Sequence, residues 1–233
     1  MTTFQGFPSE ARTFFGDIRE NNNKEWFEQQ KPRFKTLVQQ PAQELVVALG
    51  EQLQGFVPGI QYDTQLNGSG SIMRIYRDTR FSKDKSPYKT NLGIVWWEGS
   101  GKKMEEPCFY FNLDAEGAWA AGGLYMFPKH ILEPYRNAVV DDRLGPALET
   151  AIAEMWANGV SVEGAQYRTV PRGFDKTHPR AELLKYQGMI SSPRLIPEEV
   201  WTSSTLVDVC VEYFRSILPL HQWLVRMVQS RLG

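Results

Sequence analysis

Cysteine is scarce in this chain, with two among 233 residues. Cys108 and Cys210 stand apart inside apolar runs, which excludes a disulfide framework and predicts buried thiols in a reducing, cytoplasmic setting. Histidine is nearly as rare. His130, His178 and His221 are scattered, and none has a second His or Cys at ligand spacing; Asp175 and His178 offer two ligands at most, so neither a metal nor another cofactor is expected. The longest notable aliphatic run, Leu45-Val-Val-Ala-Leu49, falls far short of the roughly 20 residues that span a bilayer. The N-terminus lacks the basic start and apolar run of a secretory leader. Familiar catalytic loops are missing as well. Asn67-Gly-Ser-Gly70 has Met73 where a dinucleotide fingerprint needs its third glycine, and Lys103 follows Gly101-Lys102 where a P-loop needs Ser or Thr.

An excess of either charge is also lacking. Lys and Arg total 26 against 27 Asp and Glu, a net charge of −1. Proteins that hold nucleic acid through its phosphates are usually basic, so that partner is disfavoured, and no membrane association is expected. With 42% hydrophobic and 23% charged residues, the chain can bury a sizeable core. Nothing in it indicates an oligomeric state.

The pattern along the chain predicts one α+β domain over residues 1–233. Ser9 is placed to cap a first helix with Phe14, Phe15 and Ile18 on its apolar face. Asn21-Asn-Asn23 can cap the next turn, which carries Trp26 and Phe27 as core aromatics. Pro32 suits the first position of a longer helix, and Pro41 should kink it. After a loop from Gly55 to Gly70, four short segments rich in β-branched and aromatic residues follow: 71–76, 91–97, 107–113 and 118–124. Tight turns at Glu98-Gly-Ser-Gly101 and Asp114-Ala-Glu-Gly117 make them a central antiparallel meander of about four to five strands, packed by N- and C-terminal helices. Helices are expected at 129–140 and 144–157, then an irregular stretch over 166–179, a short helix near 181–186 and a strand at 189–193. Two apolar-faced helices separated by Pro219 close the chain; the last face could pack on its own domain or serve a dimer.

One segment departs from the even charge balance. Residues 74–89 hold six basic side chains, Arg74, Arg77, Arg80, Lys83, Lys85 and Lys89, against Asp78 and Asp84. Three guanidiniums in seven residues repel one another unless carboxylates or a bound anion neutralise them. Two readings follow: an internal ion-pair network that braces a loop, or an anion site built from planar Arg forks and lysines. Arg168, Arg172, Lys176, His178 and Arg180 form a second basic patch in a Pro- and Gly-punctuated loop.

The same residues carry a resemblance. Arg74, Arg77, Asp78, Arg80, Phe81, Asp84, Lys85 and Tyr88 resemble the signature of the domain-of-unknown-function 2461 family of bacterial and fungal proteins. Asn22-Asn-Lys-Glu-Trp-Phe27, Gly122-Gly-Leu-Tyr125 with Pro128, and Pro171-Arg-Gly-Phe174 with His178-Pro179 extend it over nearly the full chain. The resemblance implies one full-length domain and assigns no activity.

From the residues, the expected function is to bind a small phosphorylated or carboxylated ligand in an Arg/Lys-rich cleft. Arg74, Arg77 and Arg80 would hold the anion, Lys85, Tyr88 and Lys89 would orient it, and Arg172 and His178 would close over it. If the ligand is a substrate, Asp78, Asp84 and His178 are the proton carriers on hand. The alternatives are a module for single-stranded nucleic acid or protein, using aromatics such as Tyr76, Trp96, Trp97, Phe109, Tyr110 and Phe111, or a bracing motif with no ligand.

Overall fold

A computed structural model describes residues 3–230 and gives an α+β protein. The elements in order are α1 (Glu10–Glu20), α2 (Lys24–Phe34), α3 (Gln40–Gln54), β1 (Ile60–Gln61), β2 (Asn91–Glu98), β3 (Cys108–Asp114) and β4 (Gly117–Leu124). Then come α4 (Lys129–Val140), α5 (Leu144–Ala157), β5 (Val162–Glu163), β6 (Met189–Ser191), β7 (Arg194–Ile196), α6 (Glu198–Trp201), α7 (Leu206–Ser216) and α8 (Leu218–Gln229). The strands form an antiparallel sheet of order β1-β2-β3-β4-β6-β5, with β7 also paired to β4. The meander β2-β3-β4 is the expected one, and the sheet of seven strands is larger than the four to five anticipated. The additional strands are two or three residues long, too short for an alternating pattern to register.

The chain groups into two compact units. The first holds the chain as far as Trp96, Tyr110–Ala120 and Arg194–Glu212; the second holds Trp97–Phe109, Ala121–Pro193 and the chain from Tyr213 onward.

In the first unit α1 buries Ala11, Phe14, Phe15 and Ile18, the stripe its spacing requires. Ser9 does not cap it. Its backbone is already helical, which turns the hydroxyl to Glu10 and away from the free N–H groups. Asn23 is extended and does cap α2, its side-chain oxygen accepting from the Trp26 N–H at 3.0 Å. With the start fixed there, Pro32 falls inside α2 and not at the head of a new helix. The kink assigned to Pro41 takes the form of a π-turn over Lys35–Gln39, in which the Gln40 N–H reaches back to the Lys35 carbonyl. The wider turn makes room for a proline that cannot donate and whose ring would strike the carbonyl one turn earlier.

Residues 71–76, expected as a strand, form isolated bridges only: Ile72 with Ile94 and Tyr76 with Tyr88. The Met73 N–H donates to Gly93 and the Val95 N–H to Ser71, at 2.9 and 3.1 Å. Beyond that the segment turns to its own loop, where Pro87 has no N–H to continue a ladder.

The second unit packs α4, α5 and α8 together. The face of α8 (Leu220, Trp223, Leu224, Met227, Val228) is buried, and the Trp223 indole donates to the Leu144 carbonyl at 2.8 Å. Phe109 lies against Phe214 and His221. The strand expected at 189–193 ends at Ser191, before Pro193.

Candidate functional site

The basic segment is a loop standing on a narrow backbone frame in the first unit. The Arg77 N–H donates to Pro87 at 2.9 Å and the Lys89 N–H to Ile75 at 2.7 Å. Asn22, at the join of α1 and α2, clamps the frame from below. Its amide donates to the Tyr88 carbonyl at 2.9 Å and accepts from the Tyr88 N–H at 3.0 Å. The Tyr88 ring is buried, stacked on Phe27 at 4.1 Å, and burial foremost pushes its hydroxyl pKa up. Tyr88 is thus a foundation for the loop.

Within the loop the segment's own carboxylates take two of its three guanidiniums. Arg80 forks onto Asp78 with contacts of 2.9 and 2.7 Å. Arg77 pairs through Nη1 with Asp84, whose other oxygen accepts from the Ser86 N–H and hydroxyl. Lys85 donates to the Thr79 carbonyl at 2.9 Å. The hydrogen bonds from Arg80 hold the Asp78 carboxyl well below the usual range; Ser86 and then Arg77 do the same for Asp84. A carboxyl held so low is a weak base at neutral pH, which sets it apart from a proton carrier. Arg74 and Lys89 differ from these: among the described residues neither side chain makes a hydrogen bond or ion pair.

Those two side chains line separate clefts. Arg74 lines one of about 500 Å³ together with Lys31 and Lys35, over apolar walls that include Phe27, Phe34 and Leu92. Among the described residues no carboxylate lines this cleft. Lys31 has a partner, Glu28 at 2.7 Å, which foremost raises its pKa; Lys35 and Arg74 have none among the described residues. Leu66 and Tyr76, two of the exposed large apolar residues, line the same cleft at 39% and 48% exposure. The sequence reading missed Lys31, Lys35 and Gln39. Their signal was there: Lys31 and Lys35 are four apart, a spacing that stacks them on one helix face despite their repulsion. Lys89 lines the second cleft, of about 390 Å³, with Arg19, Arg77 and Asp84.

Arg172 and His178 belong to the second unit, and the clefts just described lie wholly in the first. His178 Nδ1 accepts from the Arg180 N–H at 3.1 Å. Arg172 is exposed. Of the aromatics considered for stacking bases, Trp96, Phe109 and Phe111 are fully buried, whereas Tyr76 is exposed; Phe81, which was not among them, is 94% exposed with the Arg80 guanidinium over its ring. Among the described residues no group of three or more His, Cys, Asp or Glu could hold a metal ion, and no helix is long and apolar enough to cross a membrane.

No curated protein and no solved structure matches the chain. A family described as conserved hypothetical protein (DUF2461) matches residues 10–223, and the chain therefore belongs to that family.

Proposed function

We propose that the first unit binds a small carboxylated or phosphorylated ligand in the cleft lined by Lys31, Lys35 and Arg74. One observation carries this reading: three cations line a concave, largely apolar surface with no carboxylate among them. Lys31 is matched by Glu28, whereas Lys35 and Arg74 are not, and a ligand anion would pair with those two while its body covers Leu66 and Tyr76. Arg77, Arg80, Asp78, Asp84 and Lys85 act as braces that hold the loop. A carboxylate or phosphate at the rim would take charge-assisted hydrogen bonds from Arg74 and Lys35.

A thermal-shift screen of small carboxylates and phosphates tests the reading. A ligand at about 100 times its dissociation constant adds about 2.7 kcal/mol of stability. Replacing Arg74 or Lys35 by Ala should weaken that ligand by about tenfold or more, the loss of one charged hydrogen bond. The exposed Lys83→Ala should leave it unchanged. Equal losses in all three variants, or no stabilisation by any anion, would remove the proposal.

A further inference from the structure

The second cleft has a different character. Lys89 enters it from a rigid base: its own N–H is bonded to Ile75, and its neighbour Tyr88 is clamped on both sides by Asn22. Lys89 is partly buried, and among the described residues its amine has no hydrogen bond or ion pair. Asp84 is the acid in the lining, and its oxygens are engaged by Arg77 and Ser86. Burial, and after it the charge of Arg74, lower the Lys89 pKa from the ordinary lysine value. Two guanidiniums share the cleft. Arg19 uses Nη1 for Glu116 and Arg77 uses Nη1 for Asp84, which leaves each with further N–H groups for an incoming carboxylate. An amine short of solvent and beside other cations is the setting in which lysine becomes a nucleophile toward carbonyl compounds.

We propose that Lys89 forms an imine with a small oxo acid, whose carboxylate is held by Arg19 and Arg77. The neutral Nζ attacks the carbonyl carbon, and the carbonyl π pair moves to oxygen. A proton passes from nitrogen to that oxygen to give a carbinolamine. Its hydroxyl leaves as water with a proton taken from solvent while the nitrogen lone pair closes the C=N bond, and the resulting iminium returns its N–H proton to solvent. Amine and carbonyl thus become imine and water, with no oxidant or reductant required. The site adjoins the anion cleft, whose Arg74 is the lesser cause of the lowered Lys89 pKa after burial, but imine formation needs no ligand in that cleft.

Reductive trapping tests it. The whole protein is incubated with pyruvate and sodium cyanoborohydride near pH 7, and modified lysines are mapped by peptide mass spectrometry. Lys83 and Lys85, exposed in the same segment, serve as internal controls. A lowered pKa leaves a larger share of the amine neutral near pH 7, so label should concentrate at Lys89 over Lys83 and Lys85. The preference should shrink toward pH 10, where a lowered pKa at Lys89 no longer gives it an advantage. Arg19→Gln should reduce labelling by pyruvate more than labelling by acetone, which has no carboxylate. Label spread evenly over Lys83, Lys85 and Lys89 overturns the reactive amine. Equal labelling by acetone and pyruvate overturns the role given to the arginines. Lys35→Ala, which keeps Arg74, should leave trapping at Lys89 intact even where it abolishes anion-induced stabilisation, so the two readings can fail separately.

Discussion

Asn22 shows how much one side chain can determine. Its amide satisfies both backbone polar groups of Tyr88, a residue 66 positions later that is itself buried. Asn22→Ala leaves a donor and an acceptor without partners, at a cost of about 1–3 kcal/mol. Urea denaturation should read that loss, and hydrogen exchange should show it centred on the Tyr88 and Lys89 amides. The carboxylates of the loop make a second residue-scale prediction. Asp78 and Asp84 have folded pKa values below their unfolded ones, so their contribution is present above the unfolded pKa, near 4, and is lost as pH falls toward the folded value. Loop order between residues 77 and 88 should therefore hold from pH 7 to about 4 and fade below it. NMR amide intensities across that range test the sign. In the doubly substituted Asp78→Asn, Asp84→Asn protein the loop should already be disordered at pH 7, and no acid transition should remain.

At the scale of elements, the π-turn is the feature with the most consequence. It carries Lys35, Val38 and Gln39 to the lining of the anion cleft, and a π-turn inside an α-helix is a common mark of a functional site. Removing one residue from the turn, such as Thr36, should restore α-helical pairing. Pro41 then meets the carbonyl one turn earlier, a clash worth about 3 kcal/mol or more. Adding Pro41→Ala should recover that stability, read by urea denaturation, while anion-induced stabilisation stays reduced because Val38 and Gln39 are turned away from the cleft that Lys31 and Lys35 line. A contrasting case is β4, where Gly123 has φ of +132° and a Cβ there would lie 2.2 Å from the Met189 carbonyl oxygen. Gly123 pairs with Ile190 across to β6. Gly123→Ala should destabilise the second unit by about 2–3 kcal/mol without altering the clefts of the first.

For the whole molecule, the even charge balance matters more than any single patch. At a net charge of −1, with an isoelectric point near 6.3, no long-range positive field gathers a polyanion. Single-stranded oligonucleotides should therefore not be retained in filter binding at about 0.15 M salt, where charges beyond about 8 Å are screened. Retention that falls steeply with added salt would favour a nucleic-acid partner, with exposed Phe81 and the Arg80 guanidinium over it as the stacking platform.

Periodicity alone determined α1, α4, α5, α7, α8 and the β2-β3-β4 meander, because each buries one regular stripe or alternating face. Local charge density alone located the loop around Arg77, and the Asn21–Asn23 run marked the cap of α2. Which cations remain without partners was decided by tertiary structure, since Asp78 and Asp84 could have reached several of the arginines and reach Arg80 and Arg77. The bracing of Tyr88 by Asn22 and the meeting of Lys31 and Lys35 with Arg74 also needed the folded chain. Sequence spacing fixes which side chains share a helix face or a strand; it holds no distance between residues that the fold brings together from 40 positions apart.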